Sequence, residues 1–303
     1  MWTANRKPTC MTEKEAFIVL NALADVGPVR ITNLIERFGT AEQALAAPIK
    51  EVSTITGVGR KIGERITNWQ KYFDLEQEQK LMAKCGAVVV TVNENDYPPL
   101  LRNIYDPPPV LYVKGNIDLN TSNYISIVGA RRASYYGINT ARKLAGELVA
   151  RGLYIVSGCA RGIDTAAHEG AVNAKGKTVA VFGCGIDRIY PPENFKLVDK
   201  ITANGAVISE FPMGTPPKKE NFPRRNRIIS GIAQGVIVVE AGDRSGSLIT
   251  ARMAAEQGRE VFSVPGRIDE KVSRGANILI KYGAKPVLNV DDVIEELMLP
   301  PAR

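Results

Sequence analysis

Residues 221–231 read NFPRRNRIISG, with three arginines (Arg224, Arg225, Arg227) and Asn226 placed directly behind Phe222. Guanidinium groups offer forked donors to phosphate. An aromatic ring offers a face on which an unpaired base can rest, and the two together are the working parts of a groove for single-stranded nucleic acid. Three arginines so close in sequence cannot all point the same way, so at least one must serve the fold. The same chemistry recurs along the chain. GARRASYYG carries Gly129, Arg131 and Arg132, and SGCARGIDTAAH carries Gly158, Arg161 and Gly162. EAGDRSGSLITA carries Arg244, Ser245, Gly246, Ser247 and Thr250, while PGRIDEKVSRGAN carries Arg267 and Arg274. Glycines let backbone amides approach an anion closely, and a Ser-Gly-Ser run at a helix start suits a phosphate.

These segments follow short, nearly all-apolar runs: ISIVG (125–129), LYIVSG (153–158), TVAVFG (178–183), AVISE (206–210), GVIVVEA (235–241), EVFSVPG (260–266) and KPVLNV (285–290). Continuous apolar runs predict strands buried on both faces. Helical stretches such as GINTARKLAGELVARG separate them, which predicts an α/β fold with a doubly wound, mostly parallel, Rossmann-like sheet. Ligands of such sheets bind outside the carboxyl ends of the strands. The arginine-rich loops therefore converge on one edge.

Upstream, residues 1–84 read as a small all-helical domain. TEKEAFIVLNAL places Phe17, Leu20 and Leu23 on one helix face behind a Thr12 cap answered by Glu15. VSTITGVGRKIGERITNW, with Gly57-Val58-Gly59, has the spacing of a helix–hairpin–helix, whose turn can present backbone N–H groups to a phosphate. Residues 85–123, with prolines at 98–99 and 107–109, are expected to form an extended bridge packing on the core. The Rossmann-like domain is expected over residues 124–303.

Charge follows this division. Residues 1–124 hold 14 Lys/Arg and 14 Asp/Glu, whereas residues 125–290 hold 24 against 14. A basic domain beside a neutral one points to a polyanionic partner. No apolar run reaches the length of a membrane span, and no signal pattern opens the chain, so a cytoplasmic protein is expected. Cys10, Cys85, Cys159 and Cys184 are scattered without a CxxC and with His168 as the one histidine, which predicts reduced thiols and no metal site. His168 is expected to be a packed, hydrogen-bonded core residue. Dinucleotide redox chemistry is disfavoured. The first strand leads into Gly129-Ala130-Arg131-Arg132 in place of GxGxxG, and the second ends IVSG without an acid for a ribose hydroxyl. No cofactor is expected.

The motifs SIVGARRASYYG, IVSGCARGIDTAAH, TVAVFGCGIDRIYPPEN, ISEFPMGTPPKKENFPRRNRIISG, VIVVEAGDRSGSLITARMAAEQGREVFSVPG and GANILIKYGA resemble the DNA-processing protein A (DprA/Smf) family in order and spacing across about 124–285. The helical N-terminus resembles that family's sterile-alpha-motif-like or helix–hairpin–helix domain. The resemblance implies a non-enzymatic cytoplasmic homodimer that binds and protects single-stranded DNA and helps load the RecA recombinase in natural transformation. It implies DNA contacts at Arg131 or Arg132, at Arg161, and along Phe222 to Arg227. The sequence differs in having Ala130 and Cys159 where relatives often carry serine and leucine. It also ends at Arg303, where many members continue, so no C-terminal winged-helix domain is expected. The competing reading is a Rossmann-like nucleotide phosphoribohydrolase or other nucleotide-binding enzyme. Those phosphoribohydrolases pair a PGGxGT turn with a glutamate; the chain reads AGDRSGSLITA there, and Asp164, Glu210 and Glu240 are its strand-end acids. A purely structural scaffold would leave the arginine edge without a purpose.

Overall fold

The computed structural model describes residues 11–297. Its contacts divide the chain into two compact units, Met1–Met82 and Ala83–Arg303. The first contains α1 (Glu13–Ala22), α2 (Pro28–Phe38), α3 (Ala41–Ala46), α4 (Ile49–Val52) and α5 (Gly59–Thr67), and α6 (Leu75–Cys85) runs across the division. Thr12 caps α1 as its sequence implies: its hydroxyl accepts from the Glu15 amide at 3.3 Å, and the Glu15 carboxylate accepts from the Thr12 amide at 2.8 Å. Phe17, Leu20 and Leu23 are buried. The turn into α5 needs its glycines, with Gly57 at φ +80° and Gly59 at φ +59°.

The second unit holds β1 (Val88–Thr91), α7 (Pro99–Arg102), β2 (Val110–Gly115), β3 (Tyr124–Val128), α8 (Tyr135–Ala150), β4 (Tyr154–Ser157), α9 (Ile163–Asn173) and β5 (Thr178–Val181). It continues with α10 (Phe195–Asn204), β6 (Ala206–Ser209), α11 (Asn221–Ile232), β7 (Gly235–Val238), α12 (Gly246–Glu256), β8 (Glu260–Ser263), α13 (Arg274–Lys281), β9 (Lys285–Pro286) and α14 (Asp291–Glu296). All seven expected strands are present, and they pair in parallel in one nine-stranded sheet of order β1-β2-β6-β5-β4-β3-β7-β8-β9. The segment expected as a bridge does more than pack on the core. Its apolar runs form β1 and β2, which join the sheet antiparallel, β2 pairing with β6 through Val113 and Ile208.

Alternation along each strand builds two cores. In β3, Tyr124 and Val128 face a core completed by Ile228, Ile229 and Ile232 of α11 and Ala251 and Ala254 of α12. Ile125 and Ile127 face the opposite core, completed by Leu144 and Leu148 of α8, Ala167 of α9 and Val293 of α14. Each fully buried aliphatic side chain contributes about 1.5–3 kcal/mol, so both sheet faces anchor helices firmly.

The strand order reverses at the β3–β7 pair, because β4, β5 and β6 run outward from β3 on one side while β8 and β9 follow β7 on the other. A crevice opens at the carboxyl ends of such a switch point because the flanking connections diverge to opposite faces.

Candidate nucleic-acid interface

A cavity of about 840 Å³ occupies that crevice. Residues 129–132 after β3 line one wall, residues 242–247 between β7 and α12 line another, and Lys219, Phe222, Pro223, Arg225 and Asn226 close it from α11 and its approach. The strand-end loops thus meet as their spacing implied. A second cavity of about 40 Å³ adjoins it, lined by Arg131, Gly158, Arg161, Tyr190, Pro191, Phe222 and Arg225.

Arg131 and Arg132 are exposed, as are Arg244 and Lys219. None of the four has a carboxylate partner among the described residues, whereas Arg161 pairs with Glu193, Arg267 with Asp269 at 2.6 Å and Arg274 with Asp243 at 3.5 Å. Four cations without a direct carboxylate partner outnumber the two aspartates lining the groove, Asp164 and Asp243, and give it a positive potential suited to a polyanion. Arg161 flanks the second cavity, so its ion pair must exchange if it is to meet a phosphate.

The opening stretch NFPRRNR is the start of helix α11 and not a loop. Helical phase sends its arginines in different directions. Arg225 is buried on the cavity floor, where its Nη1 donates to the Gly158 carbonyl at 2.6 Å and also to the Val181 carbonyl. Burial pushes its guanidinium below the usual arginine range while Asp164 opposes that shift. Arg227 is buried against Glu210, which it holds in a two-pronged pair at 2.9 and 2.8 Å, and its Nε donates to Asp106 at 3.0 Å. The structure does not bring Arg227 to the groove, contrary to the sequence expectation. Its neighbours are carboxylates, and four of its five N–H donors are spent on Glu210, Asp106 and the Arg224 carbonyl, in a position buried away from the groove. Arg224 also points away, its guanidinium 3.7 Å from Glu210 and over the Phe211 ring at 5.3 Å. Phe222 and Asn226 do line the groove, with the Asn226 amide 3.4 Å from the Gly246 carbonyl.

The glycine candidates divide by role. Gly129 lines the groove but leaves no room for a side chain, since a Cβ there would lie 2.6 Å from Ile163 and 2.9 Å from the Glu240 carbonyl. Gly158 makes space for the Arg225 guanidinium, and Gly162, at φ +76°, lets the turn into α9 pass the Ala130 carbonyl. Gly158 and Gly162 are therefore packing and turn residues, where the sequence suggested phosphate contacts. Ser245 caps α12, its hydroxyl accepting from the Ser247 amide at 3.4 Å and lying 2.7 Å from the Ser247 hydroxyl. This capped helix start opens directly into the cavity beside Gly246.

The strand-end acids are structural. Glu240 is buried and anchors Ser134, the cap residue of α8, accepting from its amide at 2.9 Å and its hydroxyl at 2.5 Å. Asp164 is buried at the start of α9 and accepts from the Ala160 amide at 3.3 Å. Burial raises its pKa, and Arg225 opposes that rise. His168 is fully buried with Nδ1 2.7 Å from the Thr178 hydroxyl, which itself donates to the Ile155 carbonyl at 2.8 Å. That geometry makes Nδ1 the donor, and burial, then Arg225, lowers the imidazole pKa to about 3. Cys85, Cys159 and Cys184 are free thiols, burial pushing Cys159 up to about 12 and Cys184 up to about 11; Cys10 lies outside the described residues. Among the described residues no His, Cys, Asp and Glu cluster could hold a metal ion, and no helix is long and apolar enough to cross a membrane.

Sequence reasoning missed Lys219 and Tyr190. The signal for Tyr190 was available in IYPPEN, where two prolines fix the backbone after an aromatic residue.

Comparison with known proteins agrees with this architecture. Residues 88–298 match the family described as DNA recombination-mediator protein A, and residues 17–68 match a SAM-like helix-hairpin-helix tandem. Protein Smf of Synechocystis sp. is 37% identical over 294 residues, covering 94% of this chain and 73% of its own. The X-ray structure of DNA processing protein A from Streptococcus pneumoniae superposes with a TM-score of 0.82 at 36% identity, covering 94% of this chain and 98% of that one. A Helicobacter pylori DNA processing protein A, solved for its single-stranded DNA binding mode, gives a TM-score of 0.63 at 34% identity over 70% of this chain and 95% of its own. With the groove at the sheet's switch point and a helix–hairpin–helix unit ahead of it, the chain belongs to the DNA-processing protein A (DprA/Smf) family.

Proposed function

We infer that this chain binds single-stranded DNA along the switch-point groove, protects it, and assists loading of the RecA recombinase in natural transformation and homologous recombination, acting in the cytoplasm and without catalysing a reaction. The observation carrying this reading is the set of unpaired cations, Arg131, Arg132, Arg244 and Lys219, around a cavity that also holds Phe222 and Tyr190. Phosphates meet the cations and unstacked bases meet the rings, a pairing that selects single strands. The single-stranded DNA binding reported for the Helicobacter pylori relative supports it. Glu240 supports the non-enzymatic part, because both of its carboxylate oxygens are committed to holding Ser134, the cap residue of α8.

A homodimer is supported by the far edge of the sheet. β9 is an open edge strand, and Ile278, Tyr282 and Leu288 beside it are exposed. Such an edge is usually covered, and light scattering should report about twice the 33.0 kDa chain mass.

Fluorescence anisotropy with a labelled oligothymidine and a duplex of equal length tests the central claim. Preferential binding of the single strand is expected; equal affinity or no binding refutes it. Incubation with nucleoside monophosphates, ATP or single-stranded DNA and magnesium should give no turnover, and base or phosphate release abolished by Glu240→Gln would establish the enzymatic alternative. A RecA strand-exchange assay with and without the chain reads the loading activity.

A further inference from the structure

The aromatic surface open in the groove belongs more to Tyr190 than to Phe222. The Arg131 guanidinium lies over the Phe222 ring, 5.5 Å from its centroid, an arrangement stabilised by the ring's electron-rich face. Gly183 presses on the ring edge so closely that a Cβ there would lie 2.9 Å from Phe222 Cδ1. Tyr190 packs against Phe222 with centroids 5.7 Å apart and planes tilted by 37°. These neighbours leave Phe222 half-buried, whereas Tyr190 remains 41% exposed.

Tyr190 is also held in place. It precedes Pro191 and a 3-10 turn, Pro192–Asn194. Asn194 is buried, and its amide donates to the Cys159 carbonyl and to the Thr165 hydroxyl, both at 2.9 Å. An exposed aromatic fixed by its backbone loses little entropy when it takes a ligand. It lines both the large groove and the small second cavity, so it stands where one opens into the other.

We propose that Tyr190 is a base-stacking platform of the groove, receiving an unpaired nucleobase on its open surface while Phe222 and Arg131 support the ring from behind. The inference rests on the single-stranded DNA reading given above. Phe222 then acts largely through Tyr190 and Arg131, and the base is placed at the entrance to the second cavity, beside Arg161.

Three variants of the full chain test it against a labelled oligothymidine and the same strand with abasic sites. Tyr190→Ala should weaken oligothymidine binding by roughly 5- to 150-fold, the range for losing one stacked base. The salt dependence should stay unchanged, because stacking releases no counterions. Tyr190→Phe should bind within about twofold of the parent, since the ring is kept. On the abasic strand, Tyr190→Ala and the parent should bind alike. Tyr190→Trp adds an emission that oligothymidine should quench and the abasic strand should not, which decides the matter even if Tyr190→Ala does not fold. Folded Tyr190→Ala with parental affinity, or an unquenched Tyr190→Trp in a protein that binds oligothymidine, overturns the proposal while leaving the groove intact. A parent chain that binds neither strand overturns the underlying reading with it.

Discussion

Arg227→Ala should lower the stability of the sheet unit and leave the switch-point groove unaltered. Arg227 is almost wholly buried, and so is Glu210, so removing the guanidinium leaves a desolvated carboxylate whose principal partner has gone. Asp106 loses its contact as well, but it is partly exposed and can turn to water. Breaking one side of a buried pair is worth about 3–5 kcal/mol. Summing the separate charge-assisted hydrogen bonds would overshoot, because each is measured against the same stranded carboxylate. Against a typical domain stability of about 5–15 kcal/mol the loss is large. At a urea sensitivity of about 2–3 kcal/mol per molar it moves the midpoint down by about 1–2.5 M.

The two units require separate probes. Trp69 precedes the division at Met82, so in a Trp2→Phe background tryptophan emission follows the helical unit. Amide hydrogen exchange on β3 to β7 follows the sheet unit. The expected result is early melting of the sheet unit, with folded Arg227→Ala keeping parental oligothymidine affinity and salt slope under native conditions. Partial recovery in Arg227→Met/Glu210→Gln would confirm that the stranded charge is the cause. A variant as stable as the parent, with lost affinity and a slope flattened by about 0.7, would mean that Arg227 reaches phosphate and that the buried pair contributes nothing.

Arg131→Ala and Arg132→Ala should each flatten the log–log salt dependence of oligothymidine binding by about 0.7, whereas Arg224→Ala, directed toward Glu210 and Phe211, should leave it unchanged; titrations from 50 to 300 mM salt decide. Gly158→Ala should destabilise the sheet unit by about 1–3 kcal/mol in urea melts, because its Cβ would collide with the Arg225 guanidinium. For His168, the folded pKa of about 3 lies below the ordinary value of 6.5, so on acidification the unfolded chain takes the proton first. Its contribution is fully present above about pH 6.5 and is lost toward pH 3 at about 1.4 kcal/mol per pH unit. The stability difference between the parent and His168→Asn should therefore vary with pH only in that window, and parallel curves from pH 7 to 4.5 would contradict it.

The strands, the switch point and the loops around it were legible because each depends on a local pattern. ISIVG and GVIVVEA are nearly all apolar, which marks strands buried on both faces, and the residues after them then meet at one edge. Thr12 with Glu15 fixed a helix start within four residues. The register of β1 and β2 was not legible: their short runs are separated by prolines, and the pairing of Val113 with Ile208 is decided by a strand nearly a hundred residues away.

The directions of the three arginines were hidden for a related reason. Gly and Pro near 221–231 mask a helical period, and once α11 forms its phase alone separates Arg225 from Arg224 and Arg227. What then assigns Arg227 to the fold is Glu210, 17 residues before it, and Asp106, 121 residues before it. Neither partner can be recognised from charge, since both sequence and groove are rich in arginines that could have taken it. The arginines that remain unpaired, Arg131, Arg132 and Arg244, follow β3 and β7, the two strands at which the sheet reverses direction. The carboxylates that reach that crevice, Asp164 and Asp243, are already engaged. Asp243 is paired with Arg274, while Glu240 and Asp164 are buried and hold the starts of α8 and α9, so the cations around the groove outnumber its free carboxylates.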